Sequence, residues 1–242
     1  MSLQDIAANL SSMTVGLDDT FQFHCTQCGK CCTNREDILL PPRDLYKIAK
    51  ELGLEPAEVF LRYCETYIGS NSHIPIVRLK PLGHVKRCPF LKNRKCAVHN
   101  AKPGVCAMFP VGRFISVDPK DYRKNGVKNC QTQYLLQPIS CGDKSETHTI
   151  REWLGDFDIA LEDQAFVRWN QTIASVGTIL GKAEKMVSKK IMCMVWDAVF
   201  KLLYLNYRTD QEFLPQFEKN AEATLELLSI FEPQKGAEEN AG

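Results

Sequence analysis

Four thiols fall within eight residues at Cys25-Thr26-Gln27-Cys28-Gly29-Lys30-Cys31-Cys32, a CxxCxxCC spacing suited to thiolate coordination of zinc or iron. A tight turn through Cys25 and Cys28 can aim both sulfurs at one ion, and Gly29 lets the backbone bend around it at little steric cost. Two such turns follow each other, so the segment can wrap one multinuclear centre or hold halves of two. Adjacent side chains diverge in extended backbone. Cys31 and Cys32 are therefore expected to serve two centres, or one of them to bridge or stay free. The competing reading is a set of buried or disulfide-bonded cysteines.

The complement lies downstream. Cys88-Pro89-Phe90-Leu91 is followed by Cys96, His99 and Cys106, the last with Phe109-Pro110 behind it, and Cys141-Gly142 closes the region. The expected metal ligands are Cys25, Cys28, Cys31, Cys32, Cys88, Cys96, Cys106 and Cys141. Eight thiolates fill two tetrahedral zinc sites, or exceed the four that one iron–sulfur cluster needs. Zinc knuckles seldom use a third thiol at this spacing with a vicinal fourth, so the pattern leans towards an iron–sulfur cluster, with zinc as the rival cofactor. His99 stands at CxxH spacing from Cys96, and Cys130 could replace Cys141 as a late ligand. Cys64 and Cys193 sit in apolar helical patterns and read as core thiols. His24 is expected to turn away from Cys25, and His73, His84 and His148 have no partner spacing. Lys30, Arg87 and Lys95 are placed to offset thiolate charge.

The remaining composition narrows the function. The chain has 242 residues, 44% hydrophobic and 24% charged, with a formal net charge of +1. That balance is ordinary for a globular protein and carries no electrostatic footprint for nucleic acid. No segment offers about 18 uninterrupted apolar residues, so membrane insertion is not expected. Eleven cysteines without a signal-like start point to a reducing compartment, the cytoplasm, and the odd total fits disulfide pairing poorly. No Gly-rich nucleotide loop, Ser/His/Asp arrangement or catalytic carboxylate pair is present. The partners implied are a metal ion or cluster and, through the helical half, a possible protein.

The elements that must position these residues can be read from periodicity. Phe21 and Phe23 alternate as in a half-buried strand that delivers the first cluster. Leu45, Ile48, Ala49 and Leu52 form a helical stripe stopped by Gly53, and a second helix opens at Pro56 with Val59, Phe60 and Tyr63 on one side. Ile74, Ile76 and Val77 suggest a strand, with Pro75 placing it at an edge. From Lys80 to Cys141 apolar runs are short, and such a stretch is expected to need bound metal to order itself. Thr149-Ile150-Arg151-Glu152 has capping-box spacing. Three helical stripes follow, on Phe166, Trp169, Ile173 and Val176, then Ile191, Val195, Ala198, Leu202 and Leu205, then Phe217, Ala221, Leu225, Leu228 and Phe231. The expected fold is mainly α, with few short strands. It comprises a lead-in (1–20), a cysteine-cluster domain of irregular metal-stitched loops (21–145), a C-terminal helical region (146–232) and a disordered tail (233–242).

These motifs in this order resemble the CxxCxxCC cysteine-cluster proteins of the YkgJ type, described as zinc- or iron-chelating domains. The resemblance rests on Phe23-His24 with the first cluster, on Cys88-Pro89-Phe90-Leu91, and on Cys96 with Pro103, Cys106, Phe109 and Pro110. It covers roughly residues 21 to 155. Relatives often carry Arg before the proline and after the third-motif cysteine, where this chain has Lys102 and Ala107, and a Cys-Pro-Gly turn where it has Cys141-Gly142. The resemblance implies metal binding strongly. It implies an activity only weakly, as in members described as flagellin lysine N-methylases, and a zinc-scaffolded interaction module is the third class.

Overall fold

A computed structural model describes residues 12–26 and 28–232, so the expected tail and most of the lead-in lie outside the described residues. The chain is mixed α/β rather than α-rich, about 47% helical and 20% strand. Nine strands among the described residues form one three-stranded and three two-stranded antiparallel sheets. Short strands escape notice in sequence because their partners are distant: β1 (Thr14–Val15) pairs with β8 (Gln131–Leu136), which pairs with β7 (Val111–Ser116).

Several local expectations in the first third of the chain hold. In β2 (Thr20–His24) Phe21 and Phe23 are buried and their neighbours are not. Helix α1 (Pro42–Leu52) buries Leu45, Ile48 and Ala49 and ends at Gly53, and α2 (Pro56–Tyr63) starts with proline in its first turn. Cys64 opens β3 (Cys64–Ile68), which pairs with β4 (Pro75–Leu79), and its thiol is buried. Burial pushes that thiol up to about 12.

Two cores carry most of the burial. The first joins residues from Ile38 to Val98 with Val176, Leu180, Val199, Leu203 and Leu228. The second is built around the stretch after Lys80, whose short apolar runs are joined by residues from both flanks. Met108, Val111 and Tyr134 pack with Phe21 and Phe23 from β2 and with Ile150, Trp153 and Leu154 of α5 (Ile150–Asp156). The missing apolar surface comes from both flanks. Trp153 Nε1 donates to the carbonyl of Met108 at 2.8 Å, fixing the indole between them.

Helix α6 (Gln164–Met186) packs along α8 (Phe213–Leu228) and touches α7 (Lys189–Phe200). The α7 stripe is displaced from the one expected. Met192 and Val199 are buried, while Ile191 and Cys193 are exposed, so Cys193 is a surface thiol. A π-helical segment, Lys201–Leu205, then shifts the phase and buries Leu203 and Tyr204. On α8, Thr224 takes the buried position and Leu225 is exposed.

The loop between β3 and β4 seats Ser72 on α6 at Gly177. A Cβ at Gly177 would lie 2.4 Å from the Ser72 carbonyl oxygen. Intrinsic propensity would make Gly177→Ala favourable by about 1 kcal/mol. The steric conflict reverses the sign, and a net loss on the order of 1–3 kcal/mol is expected in denaturant titration. A raised midpoint would show that the loop does not occupy this groove.

Candidate metal centre

All eight cysteines expected as ligands line a single cavity of about 270 Å³. Their arrival there follows from main-chain pairing. The β2–β9 ladder, with β9 at Asp143–Thr149, runs Thr20↔Thr149 to Gln22↔Thr147, then shifts register so that His24 faces Asp143. That shift sets Cys25, just past His24, against Cys141 and Gly142. Gly142 has a φ of 70°, and a Cβ there would lie 2.3 Å from the His24 carbonyl oxygen, so only glycine fits.

The first cluster turns at Gly29 (φ 75°) into a 3₁₀ segment, Lys30–Cys32. The carbonyl of Cys32 accepts from the amide of Cys88 at 2.8 Å, which ties the first motif to the second. Cys96 ends the hairpin of β5 (Leu91–Lys92) and β6 (Lys95–Cys96), whose tip residues Asn93 and Arg94 both have positive φ. Cys106 rides on the short helix α3 (Gly104–Met108), anchored to α1 by a 2.8 Å hydrogen bond from the Gly104 amide to Asp44 Oδ2.

The vicinal pair departs from expectation. The backbone there is a 3₁₀ turn rather than extended, and the Sγ atoms of Cys31 and Cys32 approach to 3.8 Å. Two sulfurs on one tetrahedral ion with bonds of about 2.3 Å stand about 3.8 Å apart, so the pair has the span of one coordination edge. Among the described residues no three ligand-type side chains close on a single point. The thiols line a shared cavity.

Electrostatics divide the set. Cys28 is held below the usual thiol range by backbone N–H groups of Lys30 and Gly142 aimed at its sulfur. Cys88 receives the amides of Phe90 and Leu91, but burial outweighs them and raises it. Burial also raises Cys106, and it lifts Cys141 to about 11 with help from the charges of Cys31, Cys28 and Cys25. Cys31 is low and Cys32 high because the pair shares a sulfur–sulfur hydrogen bond, releasing one proton readily and the second with difficulty. Amide donors on sulfur and nearby cations both suit thiolate ligands, so the donor chemistry fits a metal.

The cations in place are not those expected. Lys102 and Arg35 bear on Cys31 and line the cavity, whereas Lys30 contributes its backbone amide and Arg87 is exposed and off the cavity wall. Lys95 lines the wall as expected. Arg35, three residues past Cys32, is close enough along the chain that its place beside the first cluster is legible from spacing. His99 also lines the cavity, with burial and the Lys102 charge lowering its proton affinity. His24 pairs with Glu146 at 2.7 Å. Cys64, Cys130 and Cys193 are not on the cavity wall.

Sulfur donors gathered from four motifs, with amides and cations directed at them, define a thiolate-rich chelating domain on a mixed α/β scaffold. Residues 24–143 match the CxxCxxCC family model, described as "Putative zinc- or iron-chelating domain", and this segment of the chain belongs to that family. No curated protein and no solved structure matches the chain. Among the described residues no helix is long and apolar enough to cross a membrane.

Thiol titration offers a direct check. In the reduced, metal-free protein at neutral pH, a limiting dose of iodoacetamide should label Cys28 and the Cys31–Cys32 pair first and leave Cys64 unmodified, as read by peptide mass spectrometry. Uniform labelling across the eight cavity thiols would contradict the electrostatics described.

Proposed function

We propose that this chain is a metal-binding protein that holds zinc or iron directly on the thiolates of Cys25, Cys28, Cys31, Cys32, Cys88, Cys96, Cys106 and Cys141. The observation that carries this reading is the meeting of all eight at one cavity. The mutual influence of the thiols supports a two-part centre. Cys141 responds to Cys25, Cys28 and Cys31, whereas Cys32 responds to Cys88 and Cys106, and Cys88 to Cys96. The Cys31–Cys32 edge lies between the groups. Bound metal supplies the positive charge that lets buried thiols ionise, and its binding releases their protons.

Zinc is the first choice, because eight thiolates fill two closed tetrahedral zinc sites, and the 3.8 Å Cys31–Cys32 separation has the span of one coordination edge. An iron–sulfur cluster is the second reading, favoured by the cavity volume and the ferredoxin-like C-x2-C-x2-C loop. The exposed Cys25 leaves one ligand at the rim, which suits metal handling or exchange better than a sealed structural staple.

Anaerobic purification with elemental and acid-labile sulfide analysis tests the reading. About two zinc ions per chain without sulfide is the expected result. Sulfide with visible charge-transfer absorption would replace zinc by a cluster, and a chain free of both metals would end the proposal. Cys28→Ser and Cys88→Ser should each lose metal while the far-ultraviolet helical signal largely survives. Cys193→Ser should keep full metal content.

A further inference from the structure

A second cavity, of about 330 Å³, opens on the other side of α3 and shares Lys102, Val105 and Ala107 with the first. Its volume falls in the range of about 300–1,000 Å³ typical of small-molecule sites. Met108, Phe166, Trp169 and Phe213 give it apolar and aromatic walls.

Its polar groups are only partly engaged; Arg113 and Asp44 are largely buried, whereas the Arg43 side chain is 41% exposed. The Arg113 side chain is 12% exposed, donates from Nη1 to Asp163 Oδ2 at 2.9 Å, and lies 3.9 Å above the Phe166 ring. Arg43 donates from Nη1 to both oxygens of Asp163, each at 2.9 Å. Among the described residues, no other acceptor takes the remaining N–H groups of either guanidinium. Opposed to them is Asp44, 8% exposed, whose Oδ2 accepts from the Gly104 amide while Oδ1 has no hydrogen-bond partner among the described residues. The open N–H groups of the two guanidiniums and Asp44 Oδ1 therefore have hydrogen-bonding capacity to offer a ligand, and all three side chains line the same space.

The arrangement selects a ligand by elimination. Lys47 and Lys102 also line the cavity, as do Asp37, Asp158 and the Asp163 that both arginines already engage, so a ligand carrying both charges suits it better than an anion, a cation or an uncharged molecule alone. We propose that this cavity binds a free α-amino acid with an apolar or aromatic side chain. Its carboxylate takes the open N–H groups of Arg113 and Arg43, its ammonium takes Asp44 Oδ1, and its side chain lies against Trp169 and Met108. The site abuts the thiol centre through Lys102 and the α3 wall, and Asp44 also ties down the Cys106 helix, so metal content is followed alongside binding to tell the two apart.

Calorimetry on the full chain, with metal content measured in the same samples, tests this with phenylalanine, leucine and three analogues of phenylalanine. Phenethylamine lacks the carboxylate, 3-phenylpropionate lacks the amine, and N-acetylphenylalanine amide mimics a residue within a peptide. The free amino acids are expected to bind, and each analogue at least about tenfold more weakly, the worth of one charge-assisted hydrogen bond. Asp44→Asn keeps an acceptor for Gly104 and should erase the preference for phenylalanine over 3-phenylpropionate. Arg43→Gln should weaken both about tenfold with metal content unchanged. No heat from any compound, equal binding of phenylalanine and its analogues, or an Asp44→Asn variant that retains the preference would overturn the proposal.

Discussion

Eight acidic sulfurs at one cavity are a constraint that the rest of the structure must answer. Burial favours their neutral form, and each thiolate that forms makes the next less favourable. Arg35 and Lys102 meet part of that charge from the wall, and the amides of Lys30, Gly142, Phe90 and Leu91 direct partial positive charge at two of the sulfurs. Burial outweighs them at Cys106, where Arg35 also acts, and at Cys141, so both remain above the ordinary thiol range; on the proposed reading a bound cation supplies the remaining charge.

The scaffold reads as a means of bringing four sequence-distant motifs together without using sulfur to do it. The β2–β9 ladder joins the first motif to the last across more than a hundred residues, and its register shift places Cys25 beside Cys141. The Cys88 amide to Cys32 carbonyl bond joins the first to the second, and the Asp44 side chain ties the Cys106 helix to α1. Both cores back these links. Phe23 and Trp153 lie beneath the cavity and pack edge-on at 5.6 Å, so the same aromatic contact serves the second core and the floor of the site.

How much of this was legible in the sequence depended on the range of the interaction that decided it. Helix α1, the Thr149–Glu152 capping box and the Phe21/Phe23 alternation are settled within a few residues and could be read directly. The ligand set was legible as composition and spacing, because clustered cysteines carry their chemistry with them. Strands β1, β8 and β9 were not, since each depends on a partner far along the chain. The phase of α7 was misjudged for a related reason. Met192 and Val199 face the core one position away from the best-looking stripe, and the π-helical segment resets the count before Leu203. Cys31 and Cys32 were read as divergent because extended backbone was assumed, whereas Gly29 starts a 3₁₀ turn that folds them together.

The link between the Cys32 carbonyl and the Cys88 amide has a consequence for the energetics of loading. Fifty-five intervening residues would ordinarily have to be gathered by whatever joins their ends, at an entropic cost that rises with the logarithm of loop length. Here a peptide hydrogen bond and a shared apolar interior contribute to closing that loop. On the proposed reading, a cation bound through Cys32 and Cys88 would share the cost of closing that loop with these contacts, so its apparent affinity would carry less of the chain's own ordering.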